Sequence, residues 1–487
     1  MAEATKKKKK RGMPNSFTIL FICLIAVAAV TWIVSMFSPD VTPATLADIT
    51  TAPFLGFSSA LQVCVFVMVL GGFLAIVNKT GALDAGIAVL VRKLGDRDTL
   101  LIPVMMILFG ICGSTYGMME ETVPFYILLA SVTFAMGFDT MVGSLIVLLG
   151  AGLGCLGSTV NPFSVGVATA ALTDMGIAVN QGLVIALGFV LFIVGELMGI
   201  IFVMRYAKKV KADRSNSIMP PEQLAAAEAE YGEKDGAMSE GEPKVTGTQK
   251  AVLALFALSF VVMIVSFVPW ESFGVNIFAL GGTADDPSTA WSAILTGLPL
   301  GQWYFTEVGV WFFLMAIVIG IIAKMDDNEL VGTFIGGAAD MVSTALVIAV
   351  ARGISVLMAA TGLDLWVLNT AAAALEGVSA AIFAPASYAL YYVLSFLIPS
   401  SSGMATMSMP IMGPLADSLG FSVEAMIMIY VAAHGVVVLF APTNGVIIAG
   451  LELAKTSYAT FMKLCAKFFV VLTIVIGVVL TAMMLLL

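Results

Sequence analysis

With 487 residues, 60% of them hydrophobic and only 11% charged, this chain is too apolar for a soluble globular protein, in which about 25% of residues are charged. The formal charge of −9 indicates no basic or acidic partner, nucleic acid included, because much of it sits in one polar segment. The five cysteines (Cys23, Cys64, Cys112, Cys155, Cys465) lie in apolar stretches without CxxC spacing, which leaves neither a disulfide framework nor a zinc site.

Taken in order, residues 1–15 form a basic N-terminus, with six Lys/Arg at positions 6–11. Because positive loops stay cytoplasmic, this end is expected inside. The apolar run 16–37 is long enough to span, so it reads as a helix rather than a cleavable signal. The loop at 38–53 has no Lys or Arg and falls outside, while Lys79, Arg92, Lys93 and Arg97 mark the next inside face. Residues 99–137 then read as a re-entrant hairpin and 140–175 as a broken helix. Arg205, Lys208, Lys209, Lys211 and Arg214 bring the chain inside again. They open a polar stretch, 206–248, with few apolar residues, read as a flexible cytoplasmic linker between a first repeat (16–205) and a second (249–487).

In the second half, residues 271–302 have no Lys or Arg and lie outside, Lys324 lies inside, and 362–380 lie outside. A second hairpin occupies 381–419, entering from the opposite side, and a second broken helix occupies 423–453. Lys455, Lys463 and Lys467 give the last inside face, which puts the C-terminus outside. The short amphipathic stretches after Thr80 and Thr361 read as interfacial helices.

The two halves say nearly the same thing. Gly117-Met118 precedes Pro124 by seven residues, as Gly403-Met404 precedes Pro410. Gly113-Ser114-Thr115 stands before the first pair and Ser400-Ser401-Ser402 before the second. Gly157-Ser158-Thr159-Val160-Asn161-Pro162 is matched by Pro442-Thr443-Asn444-Gly445. The offset is 281 at Gly72/Gly353, 286 at Gly117/Gly403 and 283 at Asn161/Asn444. With the charge assignments, this describes an all-α polytopic membrane protein: an inverted repeat of about ten transmembrane helices, two opposed re-entrant hairpins and two broken helices. Helix-breaking backbone is tolerated in a membrane only where it is buried in protein or lines a cavity. Breaks at matching places in two halves point to the substrate site of a secondary transporter.

With these segments in place, the chain resembles the YfcC group of the DcuC-type carriers, within the broad ion-transporter superfamily. The resemblance runs over essentially the whole chain. It rests on Gly113-Ser114-Thr115-Tyr116-Gly117 with Glu120-Glu121-Thr122-Val123-Pro124-Phe125, on residues 157–163, on Ala351-Arg352-Gly353-Ile354-Ser355, and on residues 399–410 and 442–445. It implies a carrier of the bacterial inner membrane and a homodimer held through a scaffold domain. Relatives carry four-carbon dicarboxylates or exchange basic amino acids such as arginine and ornithine. The Glu-Glu-Thr-x-Pro-Phe and Ala-Arg-Gly segments resemble the amino-acid side more closely.

Several polar residues are candidates for holding the substrate. Ser114, Thr115, Ser158, Thr159, Asn161, Ser401, Ser402, Thr406, Thr443 and Asn444 supply hydroxyl, amide and exposed backbone groups at the breaks. Half-helix N-termini suit a carboxylate and unwound carbonyls suit Na+, which places a coupling ion, Na+ or H+, near Ser114, Asn161, Ser402 and Asn444. No other cofactor is implied. The plain alternative is that these side chains cap helix ends. Glu120 and Glu121 have Thr406 and Met407 at the matching positions, so the acids are added to the shared framework and suit a ligand with an extra positive charge. Adjacent residues on a helix diverge by about 100°, so only one of the two is expected to face the cavity. Arg352 is placed either to clamp a substrate carboxylate or to neutralise one of the acids. Glu196 reads as a solvated or locally paired acid before a proton site, and His434, the only histidine, as packing before proton coupling.

The leading reading is a secondary transporter of a small amino acid, above all a basic one, working by alternating access with the substrate near the midplane. A four-carbon dicarboxylate carrier and a Na+/H+ antiporter-like carrier are the alternatives. An enzyme is disfavoured, since no metal triad, GxSxG elbow or phosphate-binding glycine loop is present. Two hairpins opening to opposite sides also disfavour a passive channel.

Overall fold

The computed structural model describes residues 16–83, 85, 86, 89, 99–232, 245–268, 270–283 and 286–487. Within them the chain is all helical, without strands. The first half contains α1 (Ser16–Ser35), α2 (Leu46–Ser59), α3 (Leu61–Lys79), α4 (Leu101–Tyr116), α5 (Val123–Ala135), α6 (Thr140–Leu156), α7 (Val167–Asp174) and α8 (Gln181–Ala212). After α9 (Pro221–Tyr231) come α10 (Gly247–Phe267), α11 (Phe305–Ile322), α12 (Asp327–Asp340), α13 (Val342–Thr361) and α14 (Leu363–Ala374). The chain ends with α15 (Ala380–Leu397), α16 (Ser401–Ser418), α17 (Val423–Val437), α18 (Gly445–Leu453) and α19 (Tyr458–Leu486).

Local chemistry sets many of these ends. Asp139, Asn180 and Ser422 accept from the backbone N–H groups of Val142, Leu183 and Ala425 and so start α6, α8 and α17. Thr45 with Asp48, and Thr246 with Gln249, form capping boxes at α2 and α10. Gly117 and Gly362 stop α4 and α13 in the left-handed region, at φ 79° and 72°.

Six helices (α3, α8, α10, α11, α15 and α19) are each long and apolar enough to cross a bilayer. The shorter apolar helices, among them α4, α5, α6 and α17, fall below the roughly 20 residues of a full crossing, because glycine, serine and asparagine interrupt the chain partway.

Two packed groups meet at the breaks. In the first, α2 lies on α13, and α3 lies on α11 and α12. In the second, α4 and α5 lie on α6, α8 packs against α4 and α6, and α15, α16 and α19 pack on α17. Backbone comes very close in both. A Cβ on Gly56 of α2 would lie 2.4 Å from the Gly353 nitrogen of α13, and one on Gly154 of α6 would lie 2.1 Å from the Gly110 carbonyl of α4. Such small-residue seams suit helix association in lipid, where apolar side chains gain little by leaving an apolar solvent.

The packing is reciprocal between the halves. α2 packs on α13 while α12 packs on α3, and α5 packs on α18 while α16 packs on α7.

The stretch after α8 departs from the flexible linker expected at 206–248. α8 runs on to Ala212, and α9 packs on α5. Asp139 is fully buried and accepts from Tyr206 Oη and Ser217 Oγ, both at 2.5 Å. Lys211 donates to the Met136 carbonyl, and the Arg214 guanidinium sits 4.3 Å from the centre of the Phe134 ring. Farther on, Tyr231 Oη donates to the Leu453 carbonyl at 2.6 Å, and Lys455 Nζ lies 3.2 Å from Glu230. Composition missed this because a few anchors suffice: Met219 and Ala227 are buried, and the polar residues find partners on the ends of α5, α6 and α18. Residues 233–244 of that stretch lie outside the described residues, as do the N-terminal basic run and Arg92, Lys93 and Arg97. The expected interfacial helix after Thr80 is described only in part; its counterpart after Thr361 is α14.

Candidate substrate cavity

Four breaks converge on one cavity. The first joins α4 to α5: after Gly117 the chain makes a 3-10 turn at Glu120–Thr122, in which Thr122 Oγ1 donates to the Met119 carbonyl and Glu121 Oε2 accepts from Met119 N at 3.1 Å. The second follows α6 and ends in a π turn at Pro162–Gly166. The third lies between α15 and α16, where Ser400 Oγ accepts from Gly403 N. The fourth separates α17 from α18.

Many of the polar side chains expected to hold substrate are occupied by this backbone. Asn161 donates to Ser158 Oγ at 3.1 Å and accepts from Phe163 N at 3.0 Å. Asn444 donates to the Val438 carbonyl at 2.9 Å and accepts from Val446 N at 3.2 Å. Each amide thus satisfies groups that its own break leaves open. Ser114 Oγ donates to the Gly157 carbonyl at 2.7 Å, and Thr159 N donates to the Ser114 carbonyl at 2.9 Å, which ties the first break to the second. Ser158 Oγ donates to the Cys155 carbonyl, and Thr159 Oγ1 to that of Ser114. Thr115 and Thr406 donate back to Ile111 and Ser402 on their own helices.

The cavity encloses about 760 Å³, counting its open side, and its wall includes Glu120, Glu121, Asn161, Tyr304, Arg352, Ser400, Ser401, Ser402, His434 and Asn444. Ser114, Thr115, Ser158, Thr159, Thr406 and Thr443 are not on that wall; they sew the breaks together, cap helices or, for Thr443, lie buried beside the last break. Thr443 Oγ1 has no hydrogen-bond partner among the described residues.

Both acids border the cavity, against the expectation that only one would. Their turn is 3-10 rather than α, and the two carboxylates take different surroundings. Glu121 is buried and held by the Met119 amide, whereas Glu120 lies 3.8 Å from Arg352. Of the two roles open to Arg352, the structure places it beside the acid. Glu120 comes from the first break and Arg352 from the middle of α13, so this ion pair joins the two packed groups.

Among the wall residues not singled out from the sequence as ligands are His434, Tyr304 and Ser164, whose buried Oγ has no hydrogen-bond partner among the described residues. His434 is 8% exposed, its Nδ1 has no partner among the described residues, and it lies one turn along α17 from Tyr430, whose hydroxyl donates to the Ser401 carbonyl at 2.6 Å. That spacing of four residues is the only local signal that could have found it. Tyr304 reaches the cavity from the start of α11 and meets the Phe163 ring at 5.3 Å between centres; no local motif announces it. Glu196 is off this wall. It is buried on α8 against Gly110, and neither carboxylate oxygen has a partner among the described residues, so the local pairing expected for it is not made. Among the described residues no group of three His, Cys, Asp or Glu is placed to hold a metal ion.

A many-helix membrane protein with breaks closing on a polar cavity has the architecture of a carrier. The chain matches the DcuC family, described as C4-dicarboxylate anaerobic carriers, over residues 37–485, and belongs to it. It is 27% identical over 527 residues to an uncharacterized protein of Haemophilus influenzae, covering 95% of each chain. It is 28% identical over 445 residues to YfcC of Escherichia coli K12, provisionally described as a basic amino acid antiporter, covering 88% of this chain and 79% of the relative. Among solved structures, the YdaH transporter of Alcanivorax borkumensis aligns at 16% identity with a TM-score of 0.42, covering 96% of this chain and 98% of that one. MtrF of Neisseria gonorrhoeae, from a class of antimetabolite efflux pumps, aligns at 16% identity with a TM-score of 0.41, covering 98% and 96%.

Proposed function

We propose that this carrier is a secondary active transporter of a small basic amino acid, exchanging arginine- or ornithine-type substrates by alternating access. The observation that carries this reading is the Glu120–Arg352 pair at the cavity wall. At 3.8 Å it is longer than a direct hydrogen bond, so the Glu120 carboxylate retains capacity to accept from a substrate cation as well. Glu121 adds a second acid at the same turn. A charge this deep in a membrane protein is costly unless it has a task, and a basic substrate supplies one.

Substrate lies between the two hairpin tips and the two broken helices, with a coupling ion, Na+ or H+, near Ser114, Asn161, Ser402 and Asn444. The hairpins enter the bilayer from opposite sides, the N-terminus and residues 206–248 face the cytoplasm, and the protein is a homodimer of the bacterial inner membrane.

A dicarboxylate carrier is the second reading, favoured by the cationic Arg352 and by the family description. The deciding measurement is uptake of labelled arginine into proteoliposomes with and without internal ornithine. Stimulation by ornithine supports exchange of basic amino acids. Uptake of succinate with no response to arginine moves the chain to the dicarboxylate branch.

A further inference from the structure

The N-terminal turn of α16 faces the cavity with capacity unspent. Ser400 is the N-cap: its hydroxyl accepts from Gly403 N at 3.3 Å, and its carbonyl accepts from Met404 N at 3.0 Å. The backbone amides of Ser401 and Ser402 have no acceptor among the described residues, and neither do the two hydroxyls. The first amides of a helix and its dipole together favour an anion.

A helix start alone does not make a site, but α17 supplies an independent feature. Tyr430 is fully buried and donates to the Ser401 carbonyl at 2.6 Å, which holds the turn against α17. His434 lies one helical turn farther along that face, its ring 6.4 Å from that of Tyr430. It is 8% exposed, lines the same cavity as Ser400, Ser401 and Ser402, and its buried Nδ1 has no partner among the described residues. A neutral imidazole holds one N–H and one bare nitrogen. An uncommitted imidazole in a buried wall is costly unless something pairs with it. The asparagines on the same wall are partly committed, since each amide donates once and accepts once within its own break.

We infer that His434 and the N-terminal turn of α16 form the carboxylate subsite of the cavity, with His434 as the side chain that distinguishes a substrate carboxylate from an uncharged end. The carboxylate accepts from the Ser401 and Ser402 amides and hydroxyls and from the imidazole N–H. The cationic end of the substrate then lies toward Glu120, and Arg352 remains with that acid. This polarity rests on the reading of the cavity as an amino-acid site, but the carboxylate subsite also serves a dicarboxylate.

The test uses the purified full chain in detergent, with folding checked by gel filtration, and isothermal titration of arginine, argininamide, agmatine, succinate and succinamate. Wild type is expected to bind arginine more tightly than argininamide or agmatine. His434→Ala should weaken arginine about tenfold or more, the scale of a hydrogen bond to a charged group, while agmatine changes little. His434→Gln, which retains a side-chain N–H, should recover part of the loss. Ser402→Ala gives a milder second probe of the same turn if the histidine variants fold poorly, and should also weaken arginine more than agmatine.

Equal loss of arginine and agmatine in the variants, or no preference of wild type for any carboxylate over its amide, overturns the subsite. If wild type ignores arginine but binds succinate over succinamate, the basic-amino-acid reading fails. In that case loss of the same preference in His434→Ala upholds the subsite, and its retention overturns it.

Discussion

Glu120 and Arg352 face each other at 3.8 Å although one comes from a helix break in the first half and the other from the middle of a helix in the second. The pair joins α13 to the turn between α4 and α5 at the cavity wall.

The first prediction follows from that position. Glu120→Gln removes the acid available to a cationic substrate and leaves Arg352 without its counter-charge. Loss of one member of a partly buried charge pair costs about 2–5 kcal/mol, roughly 30-fold or more in affinity. Titration of arginine and of a neutral amino acid of similar size is expected to show the larger loss for arginine. Equal losses would identify Glu120 as a structural acid.

The asparagines should behave as caps. Asn161→Ala and Asn444→Ala each remove a donor and an acceptor from a break, and loss of a helix cap costs about 0.5–2 kcal/mol. The expected outcome is a lower melting temperature for each variant, with reduced transport following from the weakened break. Asn161→Asp retains the acceptor for Phe163 N and should recover more stability than Asn161→Ala. Unchanged melting temperature with lost transport would instead make the amide a substrate ligand.

Gly450 tests the seam between α5 and α18. A Cβ there would lie 2.5 Å from the ring of Tyr126, which is fully buried. Gly450→Ala should destabilise the protein by about 1–3 kcal/mol, the usual cost of overpacking, seen as a lower melting temperature in detergent. Adding Tyr126→Leu should relieve the clash in part, so that the double variant melts higher than the sum of the single changes. Simple additivity would mean that the cost of the added methyl does not arise at the Tyr126 ring.

Orientation can be read from α9. Ala226 is exposed there, next to the buried Ala227. On a cysteine-free background, a cysteine introduced at position 226 is expected to react with a membrane-impermeant maleimide only after the cells are opened. Labelling in intact cells would reverse the proposed topology.

What the sequence determined by itself was local. A membrane-length apolar run, and its interruption by glycine, serine, proline or asparagine, depend on backbone chemistry within a few residues. Gly117, Asn161, Ser400 and Asn444 accordingly all stand where a helix stops or starts.

Tertiary packing decided what each polar group is free to do. From sequence, Asn161 and His434 are both polar residues near a break. In the folded chain the asparagine amide is bonded to Ser158 Oγ and Phe163 N within its own break, while the imidazole lines the same cavity as the α16 turn, with no partner for Nδ1 among the described residues. The segment after α8 reversed in the other sense. Its composition suggests a flexible linker, yet Asp139, Met136 and Leu453 supply partners from helices far away in sequence. A hydrogen bond has two ends, and the sequence near one of them does not reveal which distant group meets it. That information exists only once the helices have packed.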